Sequence, residues 1–229
     1  MAKISITRLD FDGNIQLHEV PAFRGAVVEQ IGRGEELFHN HDNSTKGGFL
    51  HFRYPLVQYK CIRRRPTILL LGDATQKLPQ LLAVPDWKVT FTREKRNASL
   101  FQIRRKEVEV GLPNNKPPDT LYSYHISHWL ALNQVNIQRY RSAIGLVQQI
   151  ELLESVLNGH LLQFFKGINV SLDIPIDVYI TALNGIDQVP FKGVKMQAFH
   201  ISFKANILLP SFIGLGKGVA RGFGVLERQ

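Results

Sequence analysis

The order of elements predicts an α+β chain of tandem ferredoxin-like, RRM-like units that ends in a C-terminal glycine-rich loop. Three observations carry this. The first hundred residues read strand, helix, strand, strand, helix, strand. A proline-bearing stretch, 111–119, with Pro113, Pro117 and Pro118, then has the composition of a boundary before a second, shorter round. Near the C-terminus, Gly214 to Gly224 reads Gly-Leu-Gly-Lys-Gly-Val-Ala-Arg-Gly-Phe-Gly. The expected domains are 1–111, with a candidate catalytic loop, and 120–229, with the glycine loop.

Lys3 to Leu9 alternates apolar and polar residues, as a strand with one buried face does. Pro21 suits the first turn of a helix running to about Arg33, with Phe23, Val27, Val28 and Ile31 at helical spacing and Gly32 and Gly34 ending it. A polar loop from Glu35 to Gly48 leads into an alternating strand from Phe49 to Lys60. Pro66 to Leu71 reads as a short buried strand, and Asp73 suits the cap of a helix reaching about Ala83. Trp87 to Thr92 and Leu100 to Val110 complete the first sheet. The second round opens with a strand from Leu121 to Ser127 and an irregular stretch from Trp129 to Arg139. One long helix is then expected from Tyr140 to Phe165, striped by Ile144, Val147, Ile150, Leu153, Leu157 and Leu161. Ile174 to Ala182 and Met196 to Leu208 read as strands, the glycine loop stands where a second helix would, and a last strand runs from about Gly222 to Leu226.

The formal charge of +9 over 229 residues points to a polyanionic partner, because clustered Lys and Arg release counterions from phosphates. The charge falls in four clusters, Lys60 to Arg65, Arg93 to Arg96, Arg104 to Lys106, and Arg139 with Arg141, which together favour a folded basic groove. None lies on a long amphipathic helix of the membrane-surface type. With no long apolar span and no charged-then-apolar leader, the expected location is the cytoplasm, away from the membrane. Cys61 is the only cysteine, which excludes a disulfide within the chain and a cysteine-based zinc site.

The glycines of the loop are best explained by backbone held at positive φ or brought close to a ligand. Backbone N–H groups presented in succession attract an anion, and Lys217 and Arg221 add charge. A Walker loop needs Ser or Thr after the lysine, but Gly218 follows Lys217. A dinucleotide fingerprint needs a following helix within a βαβ unit, and only 13 residues follow Gly216. The spacing Gly214-Leu215-Gly216, five residues, Gly222-Phe223-Gly224 resembles the signature loop of the repeat-associated (RAMP) superfamily. Within it, the likeness is to the endoribonucleases that cut CRISPR repeat RNA, and a second likeness runs through Phe23-Arg24-Gly25-Ala26 and from Phe38 to Tyr59. The resemblance implies two ferredoxin-like units in tandem and CRISPR repeat RNA as partner. It leaves open other CRISPR-associated proteins as partners and a monomer or homodimer.

The loop after the first helix holds His39-Asn40-His41-Asp42, with Lys46 and Tyr54 downstream. Metal-free RNA cleavage needs a base for the ribose 2′-OH, an acid for the departing 5′-oxygen and a cation for the phosphorane, and histidine suits both proton transfers near neutrality. The products are a 2′,3′-cyclic phosphate and a 5′-OH. The resemblance implies that a histidine at this place is catalytic, matching His39 and His41 without separating them. Some relatives pair two histidines with a tyrosine, here His39, His41 and Tyr54, and others pair one histidine with a lysine, here Lys46. Relatives with a catalytic tyrosine on the first helix have no counterpart, since Val27, Val28 and Ile31 stand there. His-x-His with Asp42 also offers metal ligands, but nothing nearby completes a set of four, and the family resemblance implies no metal and no cofactor. His51 reads as structural, while His125 and His128 read as packing residues near Trp129, with base stacking the alternative. A RAMP subunit that binds crRNA without cutting it is the rival function.

Overall fold

The computed structural model describes residues 1–32, 54–83, 88–91, 96–113, 120–173 and 175–229. They form two compact units. One comprises Ile4–Val108 with Ala220–Gly222, and the other Met1–Lys3, Glu109–Val219 and Phe223–Gln229.

The first unit is built from β1 (Ala2–Phe11), α1 (Val20–Ile31), β2 (Val57–Ile62), β3 (Arg65–Leu71), a 3-10 stretch (Gly72–Lys77) running into α2 (Leu78–Leu82), β4 (Lys88–Phe91) and β5 (Arg96–Val110). Its sheet order is β2-β3-β1-β5-β4, the ferredoxin-like order with β4 added at the edge as a hairpin arm of β5. Pro21 lies in the first turn of α1, where its missing N–H costs nothing, and Gly32 ends the helix at a φ of +97°. The helix expected from Asp73 is α-helical only from Leu78, where Pro79 occupies the first turn. Leu9, Phe11, Phe23, Val27, Tyr59, Ile68 and Leu70 form the core under α1. The rings of Phe11 and Phe23 meet edge-on at 5.2 Å, and those of Phe23 and Tyr59 at 6.0 Å.

β2 and β3 are buried on both faces, as the unbroken apolar run Ile68–Leu71 requires. Opposite the core, Lys60 pairs with Thr67, and Thr67 with Asp10, in one row across three strands. The Thr67 hydroxyl donates to Asp10 Oδ1 at 2.9 Å, and Arg8 Nε donates to the same oxygen at 2.7 Å. Lys60 therefore leaves the basic surface cluster that its neighbours in sequence suggest.

The second unit holds β6 (Tyr122–Trp129), α3 (Gln134–Ser142), α4 (Gly145–Gly167), β7 (Val178–Phe191), β8 (Val194–Ala205), a 3-10 turn beginning at Val219 and β9 (Val225–Arg228). Its order, β7-β8-β6-β9, repeats the ferredoxin-like pattern with every described pairing antiparallel. Two helices replace the single one expected. Asn133 caps α3 by accepting the Asn136 N–H, so helix already occupies most of the stretch read as irregular. Ala143 and Ile144 are then extended and Gly145 has a φ of +83°, which breaks the chain before α4. The buried stripe consequently starts late: Leu153, Leu157 and Leu161 are buried, whereas Ile144 is 84% and Val147 71% exposed. β7 runs nine residues past its expected end, to a turn at Lys192-Gly193. Tyr124 joins this core to the chain after β8, donating to the Ile207 carbonyl at 2.8 Å and accepting the Leu209 N–H at 3.1 Å. Among the described residues no helix is long and apolar enough to cross a membrane.

Lys60 makes stability depend on pH. Burial lowers its pKa from the usual 10.5 to about 7. Between those values the unfolded chain holds a proton that the folded chain lacks, so stability rises with pH from about 7 towards 10.5. Lys60→Met should flatten that rise, by roughly 1 kcal/mol per pH unit, in urea unfolding compared between about pH 7 and 9.

Candidate functional site

The glycine loop belongs to the second unit except for Ala220–Gly222, which belong to the first. Gly216 has a φ of +87°, and a Cβ there would stand 2.8 Å from the Trp129 indole and 2.9 Å from the Leu130 carbonyl oxygen. Gly224 has a φ of +63°, and its Cβ would fall onto the Leu215 carbonyl. Gly218 is hemmed in by Phe191 and Phe223, and Gly222 by Leu17 and Val20, while Gly214 bridges Val225. Leu215, Lys217, Phe223 and Gly224 donate their N–H groups to the carbonyls of Gly224, Leu130, Gly218 and His128. The anion-binding reading thus loses these four donors, and the contribution to a phosphate shifts to the side chains of Lys217 and Arg221.

Both cations sit in informative surroundings. Lys217 lies beside His160, whose Nδ1 accepts from Trp129 Nε1 at 3.2 Å. Burial first, and then Lys217, lower the His160 pKa to about 4, so this imidazole is neutral at physiological pH. Arg221 lies close to Arg24, whose guanidinium stands 6.0 Å from the Tyr59 ring centre. Burial chiefly depresses the Arg24 pKa, with repulsion from Arg221 adding to it and Tyr59 opposing. Two guanidiniums this close favour an anion beside them.

A further basic feature is the turn joining β2 to β3. Arg63 and Arg64 are its two central residues, with φ of +50° and +64°, where such turns take Asn-Gly. Both are exposed, Arg64 Nε donates to Asn14 Oδ1 at 3.1 Å, and Arg65 stands 5.1 Å from the ring centre of the half-exposed Phe101. Arginine held where glycine is less strained signals a use for its charge. Arg104, Arg105 and Lys106 on β5 and Arg139 and Arg141 on α3 are exposed too.

His39, His41 and Lys46 lie outside the described residues, as do His51 and the loop that carries them. Tyr54 is described, and its hydroxyl accepts from Gln58 Nε2 at 2.9 Å. His125 and His128 are not core packing: both are half-buried among polar partners on the sheet face opposite α3. His200, which no motif or spacing marks out, lies with them. Its position follows from strand pairing with a segment 72 positions away from it, a relation that a linear pattern does not carry.

The model of the Cas6b N-terminal domain matches residues 2–109, and that of the Cas6b C-terminal domain matches 117–229. The chain belongs to the Cas6b family. A crystal structure of a Cas6b covers all of both chains with a TM-score of 0.86 at 21% identity. A CRISPR RNA processing endoribonuclease Cas6b does so with a TM-score of 0.73 at 21% identity. A RAMP protein binding different RNA substrates, with 99% of each chain covered, gives 0.51 at 10%. At these identities the likeness is one of fold. By sequence, an uncharacterized protein of Methanocaldococcus jannaschii is 30% identical over 103 residues, which are 45% of this chain and 69% of that protein.

In this Cas6b chain the loop glycines are constrained from inside, so their substitution tests folding before binding. Gly224→Ala should cost on the order of 3 kcal/mol or more in urea unfolding, since a backbone carbonyl cannot move aside. Gly159→Ala, in α4 with open space around it, should instead stabilise by about 0.5–1 kcal/mol.

Proposed function

We propose that the protein is a metal-independent endoribonuclease that cuts CRISPR repeat RNA to mature crRNA. The observation that carries the reading is that both halves of the chain match the two domains of one family, and that a Cas6b of the same fold is a CRISPR RNA processing endoribonuclease. In this reading His39 and His41 move the protons, one taking the 2′-OH proton and the other supplying the 5′-oxygen. Lys46 stabilises the charge that builds on the phosphorane, and Tyr54, oriented by Gln58, supports it by hydrogen bonding. Attack by the 2′-oxygen on phosphorus breaks the bond to the 5′-oxygen and leaves a 2′,3′-cyclic phosphate and a 5′-OH. Gly214, Gly216, Gly222 and Gly224 set the shape of the loop that presents Lys217 and Arg221 to the RNA backbone. The reaction has no step for a metal or cofactor, and the enzyme works in the cytoplasm as a monomer or homodimer, with or without other CRISPR-associated proteins.

The decisive measurement uses repeat RNA with 2′-deoxyribose at the single cleavage position. Nearly all phosphate contacts remain, so binding should be unchanged, while cutting stops with or without EDTA. His39→Ala and His41→Ala should lower the single-turnover rate at least ~100-fold and leave affinity within a few-fold. Cleavage of the deoxy substrate, or ends carrying a 3′-OH, would overturn the mechanism. Tight binding of all-ribose RNA without cleavage would instead favour a subunit that only binds crRNA.

The arginine turn offers a separate test of RNA binding. Arg63→Gly and Arg64→Gly relieve a strained φ and remove one positive charge each. Stability should hold or rise by a few tenths of a kcal/mol, while RNA affinity falls and the salt dependence of binding loses about one unit of slope per phosphate contact. Unchanged affinity and slope in both would take this turn out of the interface.

A further inference from the structure

Both faces of the second sheet are specified, and the one away from the helices gathers histidines. Along β8, Phe199, Ile201 and Phe203 are buried, with Tyr140 of α3 packing on Phe199, so His200 and Ser202 point the other way. The pairing slips on either side of His200. β6 goes from Ile126 opposite Ile201 to Trp129 opposite Phe199, which leaves Ser127 and His128 facing one residue. β7 goes from Leu183 opposite Ile201 to Gly185 opposite His200, leaving Asn184 as its extra residue.

These bulges have a consequence for side chains. Regular pairing would set residue 128 opposite Phe199, on the core side. The bulge instead turns Trp129 inward and His128 outward, and His128 takes a φ of +50°, rare for a residue with a Cβ. Strain of this kind clusters at sites with a use.

The side chains converge from three strands. His200 Nε2 lies 2.9 Å from Asp187 Oδ2, and His128 Nε2 lies 3.7 Å from the same oxygen. The two imidazoles stand 4.5 Å apart between ring centres, and the three ligand atoms all fall within 4.8 Å of one another. A tetrahedral zinc ion, with bonds of ~2.0–2.1 Å, spaces its ligand atoms ~3.3 Å apart, a value between the two measured separations. Gly185 places no side chain against His200, and even a Cβ there would meet nothing within 4 Å.

We propose that His128, Asp187 and His200 form a binding site for a divalent transition metal of the zinc class, with two imidazoles and one carboxylate as ligands and the remaining position open to water. His125 stands beside the site but is engaged elsewhere, with Asn184 Nδ2 at 3.2 Å and Ser202 Oγ at 3.5 Å. The site lies outside the cleavage chemistry proposed above and does not depend on it.

The test is titration of metal-stripped full-length protein with Zn²⁺, and with Co²⁺, whose visible absorption reports four-coordination. Wild type should bind one equivalent. Asp187→Asn and His128→Asn should each weaken zinc binding at least ~10–100-fold, the loss that even a supporting residue causes in a metal site. Asparagine tolerates the positive φ at 128, and Asp187 is 56% exposed, so both variants should keep a cooperative thermal transition. His125→Gln and the double variant His39→Ala, His41→Ala should bind zinc as wild type does. Absence of stoichiometric binding, wild-type affinity in the Asp187 and His128 variants, or loss of binding in the His39, His41 variant would each overturn the proposal.

Discussion

The indole of Trp129 fixes several features of the second unit together. It reaches the core only because β6 bulges, and there it packs edge-on against Phe199 at 6.2 Å and donates to His160. Its ring occupies the space above Gly216, so that position has no room for a side chain. The Leu130 carbonyl, one residue on, takes the Lys217 N–H and anchors the loop that carries the lysine. The same bulge turns His128 to the outer face. Burial of one large ring thereby couples a core, a glycine loop and a histidine cluster.

The first unit works on a different principle, the placement of charge against the usual rules. Lys60, Thr67 and Asp10 lie buried in a row across the sheet, and Arg63 and Arg64 hold positive φ at a turn. Each departs from what stability alone selects. The buried row is tied by hydrogen bonds from Thr67 and Arg8 to Asp10, whereas the turn projects its charge into solvent. A strand and a turn adjacent in sequence thus carry opposite kinds of basic residue.

The glycine loop was legible, unevenly. The five loop glycines announced themselves because few other positions require a residue without Cβ, and four of them do have positive φ. The cause was less legible: besides the loop's own Leu215, the clashes are with Trp129 and Phe191, groups that no local spacing connects to the loop. His39 and His41 stand out by proximity in sequence, the property a linear reading detects. His200 does not, since it meets His128 and Asp187 only through two ladders and two bulges.

What the sequence determined by itself was local. Alternation placed β1, a short apolar run placed β3, proline and glycine set the ends of α1, and the net charge pointed to a polyanionic partner, because each is a property of neighbouring residues or of composition. Tertiary structure decided the rest. It split the long helix, since apolar spacing runs through 143–145 without registering that Gly145 is at positive φ. It exposed Ile144 and Val147, since periodicity does not say where the covering surface ends. It also chose which basic residues reach solvent, burying Lys60 and exposing Arg63, because burial is set by what packs on a strand and not by the strand's own residues.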